Sequence, residues 1–112
     1  QQAVEQNGPE AQEQLRYIME VELSNGEAIV LNQNVPNPFA ESTVITYSIP
    51  SSVQTAQIIF HDATGAQIKS LDVHERGNGQ INVYANDLST GIYTYSLIAD
   101  GKIVATKRML KQ

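Results

Sequence analysis

The sequence has no cysteine, no tryptophan, only seven basic residues and no extended apolar run. Without cysteine there is no disulfide framework, no thiol nucleophile and no thiolate metal site. Without tryptophan a sugar-stacking platform loses its usual residue. No apolar stretch approaches the ~18–20 residues of a membrane-spanning helix, and the Gln-rich, acidic start is not a signal peptide. Any export signal is expected upstream. Twelve acidic residues outweigh the seven basic ones for a net charge of −5, which removes the simple electrostatic case for binding nucleic acid. The positive charge that exists is concentrated. Only three basic residues precede Gly101, whereas Lys102, Lys107, Arg108 and Lys111 fall in the last twelve residues with no acid among them. Such a segment is either a solvated edge or a recognition patch.

The 112 residues, 41% of them apolar, suffice for one domain of about 100 residues with a modest core. Composition changes near Gly26. Residues 1–17 are rich in Gln and Glu and nearly free of β-branched residues. Asn7-Gly8-Pro9-Glu10 has the form of a helix start, since Pro9 suits a first turn whose N–H is unpaired anyway. Leu15, Ile18 and Met19 follow at helical spacing, a stripe too short to sustain an isolated helix. Residues 1–27 therefore read as a linker or as the end of an upstream helix. Met19, Val21 and Leu23 alternate with Glu20, Glu22 and Ser24 ahead of Asn25-Gly26, a strong hairpin signal, so a short strand is expected over 18–24.

Residues 28–112 read as an all-β domain. Strands are expected over 28–33, 43–49, 56–60, 67–73, 80–84, 92–99 and 102–110. Between them lie turn formers: Asp62 to Gly65, Arg76 to Gly79, Asp87 to Gly91, and Asp100-Gly101. Residues 34–39 carry two prolines that remove two ladder donors, so they read as an extended crossover with Phe39 as a hydrophobic plug. Seven short strands at this spacing predict an antiparallel sandwich of the Ig/fibronectin-like kind. The expected core is Leu31, Ile45, Tyr47, Ile49, Ile58, Phe60, Ile68, Leu71, Ile81, Val83, Leu88, Tyr93, Tyr95, Leu97 and Val104. Tyr93, near the start of the penultimate strand, matches the position of the tyrosine corner of such sandwiches.

Catalytic chemistry finds little purchase. His61 and His74 are the only histidines, and although Asp72 could share a strand face with His74, no third metal ligand has useful spacing. No serine sits in a Gly-x-Ser-x-Gly elbow. Arg76-Gly77-Asn78-Gly79 is glycine-rich, but no helix N-terminus follows it to bind phosphate. The expectation is a protein that is not an enzyme and carries no cofactor.

Three features are unusual for a plain sandwich: the paired prolines of Asn34-Val35-Pro36-Asn37-Pro38-Phe39, the block from Asp87 to Tyr93, and the basic final strand. In this order they resemble the C-terminal sorting domain of the bacterial type IX secretion system. The resemblance begins at Leu31 to Phe39 and continues through Ile45 to Pro50. It runs on through Phe60 to Ile68, with the family's Asp and Gly at Asp62 and Gly65, and through Leu88-Ser89-Thr90-Gly91-Ile92-Tyr93. It ends at Thr106 to Lys111, similar to the family's closing Lys-Lys-Met-Val-x-Lys. Two departures are His61, where Tyr is commoner, and Arg108, where the family has a second Lys.

The resemblance implies a sorting domain over 28–112 attached to a cargo of the Bacteroidetes type, with 1–27 as its junction. It implies passage through the periplasm and across the outer membrane to a secreted or cell-surface destination. The implied partners are the type IX translocon, an outer-membrane shuttle protein and a surface sortase. The domain itself is expected to be monomeric, and the upstream cargo is free to be oligomeric. Gly91, Tyr93, Lys102, Lys107, Arg108 and Lys111 are the expected recognition residues. Asn34, Pro36, Asn37, Pro38, Phe39, Asp62, Gly65 and Leu88 are expected to be structural. The alternative is an extracellular adhesive or carbohydrate-binding sandwich, for which an exposed aromatic pair would speak. Its candidates, Tyr17 and Tyr84, are expected to pack locally instead.

Overall fold

The computed structural model of the protein describes residues 28–112 and, ahead of them, residues 6–7 and 9–10. Gln6–Asn7 and Pro9–Glu10 are extended and bridge each other, and the helix expected to run on from Pro9 lies outside the described residues. Proline's fixed φ serves an extended segment as well as a first helical turn. Tyr17, the stripe of Leu15, Ile18 and Met19, and the strand expected over 18–24 lie outside the described residues.

Alternating apolar residues between turn formers build seven strands: β1 Val30–Leu31, β2 Ser42–Ile49, β3 Ala56–His61, β4 Gln67–Asp72, β5 Gly77–Tyr84, β6 Gly91–Ala99 and β7 Lys102–Lys111. The only helical piece among the described residues is a three-residue 3-10 turn, Ala85–Asp87. The strands form two sheets, β1-β2-β5 and β4-β3-β6-β7, in which all neighbours are antiparallel. The expected all-β sandwich is therefore the fold. β5 begins earlier than expected, because Gly77, Asn78 and Gly79 pair with Ile49, Ser48 and Tyr47 instead of turning. Gly79 suits that position: a Cβ there would come within 2.5 Å of the Tyr47 ring.

Between the sheets Ile45, Ile49, Ile58, Tyr95 and Leu97 are fully buried. Each such side chain contributes roughly 1.5–3 kcal/mol by leaving water. Tyr95 ties the two sheets together. Its ring lies 6.1 Å from that of Phe60, and its hydroxyl donates to the Asn32 carbonyl at 2.7 Å, just past the end of β1. Burial pushes its phenol pKa up.

Two expected core residues are on the surface, Ile68 at 43% and Val104 at 44% exposure. Each is the extra residue of a β-bulge: β4 pairs Lys69 with Phe60 but Gln67 with His61, and β7 pairs Ala105 with Leu97 but Ile103 with Ile98. Alternation back from the inward Leu71 already turns Ile68 outward, and at Val104 the bulge interrupts the alternation that runs on from Lys102, opposite the inward Ala99. Leu71, Ile81, Val83 and Leu88 pack against the core but are only partly buried, because the side of the sandwich between β4 and β5 stays open. Tyr84, expected to pack locally, is 64% exposed on that side.

The loop after β2 is held by two charged side chains. The Arg76 guanidinium donates to the carbonyls of Val53 (2.8 Å), Gln54 (2.8 Å), Val73 (3.0 Å) and Glu75 (2.9 Å). Asp100, at φ +51° in the tight turn before Gly101, accepts from the N–H groups of Gln54 and Thr55, both at 2.9 Å. Hydrogen bonds to a charged group each carry about 1.5–3 kcal/mol, and the planar fork of arginine is what reaches several carbonyls at once. Arg76→Ala should therefore lower the unfolding free energy by roughly 2–3 kcal/mol, and Arg76→Lys should recover only part of it. Urea denaturation of the three proteins checks both expectations.

Candidate recognition surface

β7 is an edge strand, and a long unpaired edge invites pairing with other chains. Its C-terminal half is covered by the proline-rich crossover. The Phe39 N–H donates to the Leu110 carbonyl at 2.9 Å, and the Gln112 N–H donates to the Phe39 carbonyl at 2.8 Å. The Leu110 N–H donates to Asn37 Oδ1 at 2.9 Å, and Gln33 Nε2 donates to the Arg108 carbonyl at 2.6 Å. Phe39 and Lys111 thus face each other as a parallel bridge. The prolines account for the spacing. Pro36 and Pro38 have no N–H to give, so Asn37 and Phe39 make the contacts between and after them. Both X-Pro bonds are cis.

The crossover is fixed from beneath by a buried polar cluster. Asn34 is 1% exposed, and its Nδ2 donates to the Pro36 carbonyl (3.0 Å) and to Thr43 Oγ1 (3.1 Å). The Thr43 hydroxyl donates to the same Pro36 carbonyl at 2.7 Å, and Gln33 Nε2 donates to Asn34 Oδ1 at 2.7 Å. A buried amide is tolerated only when its groups are paired, as these are. Phe39, 1% exposed, fills the core beside them as the expected plug.

The basic residues of β7 divide by face. Lys107 lies opposite Tyr95 and shares the inner face with the buried Met109, so it is half-buried. Arg108 lies opposite Thr94 on the outer face and is exposed. Lys111 pairs with Gly91, is half-buried, and its Nζ bonds to the Gln112 carbonyl. Lys102 is exposed at the other end of β7, roughly 30 Å from Lys111 at ~3.3 Å per residue. The structure therefore places Lys111, Gly91 and Tyr93 at one end of the sandwich, Lys107 and Arg108 nearer the middle of β7 on opposite faces, and Lys102 at the other end. Gly91 has φ +156°, and Tyr93 closes a tyrosine corner, its hydroxyl donating to the Ser89 carbonyl at 2.7 Å. Leu88 packs against the core beside that corner.

Asp62 and Gly65 belong to a different feature, the turn between β3 and β4. Asp62 Oδ1 accepts from the Thr64 hydroxyl (2.6 Å), the Thr64 N–H (2.9 Å) and the Ala66 N–H (3.1 Å), while Gly65 takes φ +90°. These bonds, the Thr64 hydroxyl first, hold the Asp62 carboxyl below the usual carboxylate range. Sequence reasoning missed Gln33, Thr43 and Met109. The period-two pattern Ala105, Lys107, Met109 would have revealed Met109, but no local pattern marks Gln33 as a cap on a strand more than seventy residues away. Among the described residues no three His, Cys, Asp or Glu side chains could hold a metal ion.

A family model described as the secretion system C-terminal sorting domain matches residues 35–112, which takes in the crossover from Val35 onward and the strand it covers. No curated protein matches the chain.

Two outcomes follow from this geometry. Asn34→Ala leaves the Pro36 carbonyl and Thr43 with fewer partners and should cost roughly 1–3 kcal/mol. It should also speed amide exchange at Leu110 and Gln112, which hydrogen-exchange NMR reads directly. For Asp62, a carboxyl pKa lowered by folding stabilises the fold above the ordinary carboxylate range, and that contribution disappears as pH falls through the lowered value. Parent and Asp62→Asn should therefore differ in melting temperature at neutral pH and converge under strong acid.

Proposed function

The chain belongs to the family of secretion system C-terminal sorting domains, and on that premise we propose that it directs an attached cargo across the outer membrane by type IX secretion. The cargo passes through the periplasm and is then released or displayed at the cell surface. The role is one of interaction and not of catalysis. The observation that carries the reading is the family match, which spans Val35 to Phe39 of the crossover and the whole of β7. A translocon or shuttle receptor has to read a folded tag without reading its cargo, and a charged surface on a rigid scaffold meets that need. A surface sortase would act afterwards.

Lys107 is the principal contact in this reading, because it stands where the family resemblance has its lysine, with Arg108 and Lys111 in support. Its position on the inner face at a sheet edge suits a long side chain that lays its stem on apolar neighbours and carries the ammonium to water. Gly91 and Tyr93 hold the neighbouring strand, and Lys102 plays a lesser part.

The test is a reporter fused ahead of residues 28–112 in a type IX-secreting host, with Lys107→Ala and Lys107→Glu beside the parent. Both substitutions should leave stability within about 1 kcal/mol and reduce reporter release, Lys107→Glu more strongly. Undiminished release of both at equal stability would assign recognition to another surface. Failure of the parent domain to export the reporter would remove the sorting role itself.

A further inference from the structure

Along the free side of β7 the bonds that cover its C-terminal half come from three residues. The Phe39 backbone bonds Leu110 and Gln112, and Asn37 Oδ1 accepts the Leu110 N–H. The bond nearest the uncovered half is made by a side chain, with Gln33 Nε2 donating to the Arg108 carbonyl at 2.6 Å. From Lys102 to Lys107, no other described residue bonds to the backbone on that side. Gln33 therefore marks the boundary between covered and uncovered edge, and Lys107 and Arg108 stand on either side of it. The same Nε2 donates to Asn34 Oδ1 at 2.7 Å. An amide NH2 carries two donors, and here both are used. One exposed nitrogen thus joins the edge strand to the buried cluster beneath the crossover, through Asn34 to Thr43 and the Pro36 carbonyl.

From this placement we infer that Gln33 is a positioning residue of the recognition surface, holding the backbone at Arg108 so that Lys107 and Arg108 keep their division between the two faces. The inference rests on the reading of these two cations as recognition residues. Pairing with β6 secures β7 from one side only. Local opening is easiest where backbone bonds are exposed and few, which describes an edge strand at the limit of its cover. Side-chain direction on a strand follows the backbone, so an opening at Arg108 releases both cations together. Gln33 is exposed and adds no apolar burial, so its contribution is to the geometry of β7 more than to the core. It also lies ahead of Val35, where the family match begins, so the recognition unit reaches back beyond the matched residues.

The test uses the full 112-residue chain and the variant Gln33→Met, which keeps the side-chain length and removes both donors. Arg76→Lys, altered in the loop after β2, is the control for general loss of stability. Hydrogen-exchange NMR should show the Lys107 and Met109 amides, opposite Tyr95 and Tyr93, exchanging roughly three- to tenfold faster in Gln33→Met, the factor that one ordinary hydrogen bond corresponds to. The same amides in Arg76→Lys should change no more than the rest of β7. With a reporter fused ahead of each chain in a type IX-secreting host, Gln33→Met should release less reporter than Arg76→Lys, although its melting temperature is the closer to the parent's. Unchanged exchange at Lys107 and Met109 would overturn the proposal. So would faster exchange with undiminished release, or a loss of release that merely follows melting temperature across the two variants. Failure of the parent chain itself to release the reporter would instead remove the sorting role, and the inference with it.

Discussion

An unpaired strand edge is the constraint on which this domain depends. Two open sheets leave four rows of backbone donors and acceptors, and the row most carefully closed belongs to the last strand. The closure is made of backbone bonds from Phe39 and Gln112 and of side-chain bonds from Asn37 and Gln33. Its geometry is dictated by prolines that can contribute no donors of their own. Phe39 joins this edge to the core, because the residue that bridges to Lys111 also buries its ring. The buried cluster of Asn34, Thr43 and the Pro36 carbonyl then keeps the crossover from lifting away. Edge protection, core packing and the arrangement of the chain's final residues are thus one structural solution.

That solution also decides what the basic residues can do. On a regular strand Lys107 and Arg108 must point to opposite faces, and the inner face is the costlier place for a cation. The structure resolves the conflict by using the edge, where an inward lysine remains half-exposed while Met109 beside it is buried. An inward charge at an edge opposes further strand pairing. Lys107 therefore protects β7 just where the crossover's coverage stops, whatever else it contacts. Arg108, on the outer face, is free of that duty except through its carbonyl, which Gln33 caps.

The fold was legible in the sequence because its signals are local. Alternation placed the strands, turn formers separated them, and Tyr93 advertised its corner by position. The errors have equally local causes. Val104 has the parity of Lys102, which lies opposite the inward Ala99, and the bulge at Val104 breaks that count, whereas Ile68 stands three residues from the inward Leu71, so alternation alone turns it outward. Gly77 and Gly79 resemble turn residues, yet they are strand residues, one of them leaving room for the Tyr47 ring. The candidate surface was only half legible. Its residues could be named from the family resemblance, and Phe39 could be read as a plug. That the crossover would lie against the final strand could not be read, since the contact joins segments about seventy residues apart with no pattern linking them. Long-range pairing between irregular backbone and an edge has no period to betray it.

The same long range has a consequence for any receptor that reads the basic end of β7. In an unfolded chain Lys107, Arg108 and Lys111 are three cations on a flexible segment, indistinguishable from many other basic tails. Their division between two faces depends on pairing with β6, and the backbone around them is held by residues from Gln33 to Phe39. Both arrangements exist only after the first and last strands of the domain have come together, with Tyr95 bonded to Asn32 across the core. Contacts of such sequence separation carry a loop-closure cost that local contacts do not, and they are absent from an unfolded chain. A partner that recognises this end in its folded geometry therefore recognises a completed domain, and discrimination between folded and unfolded chains needs no separate device.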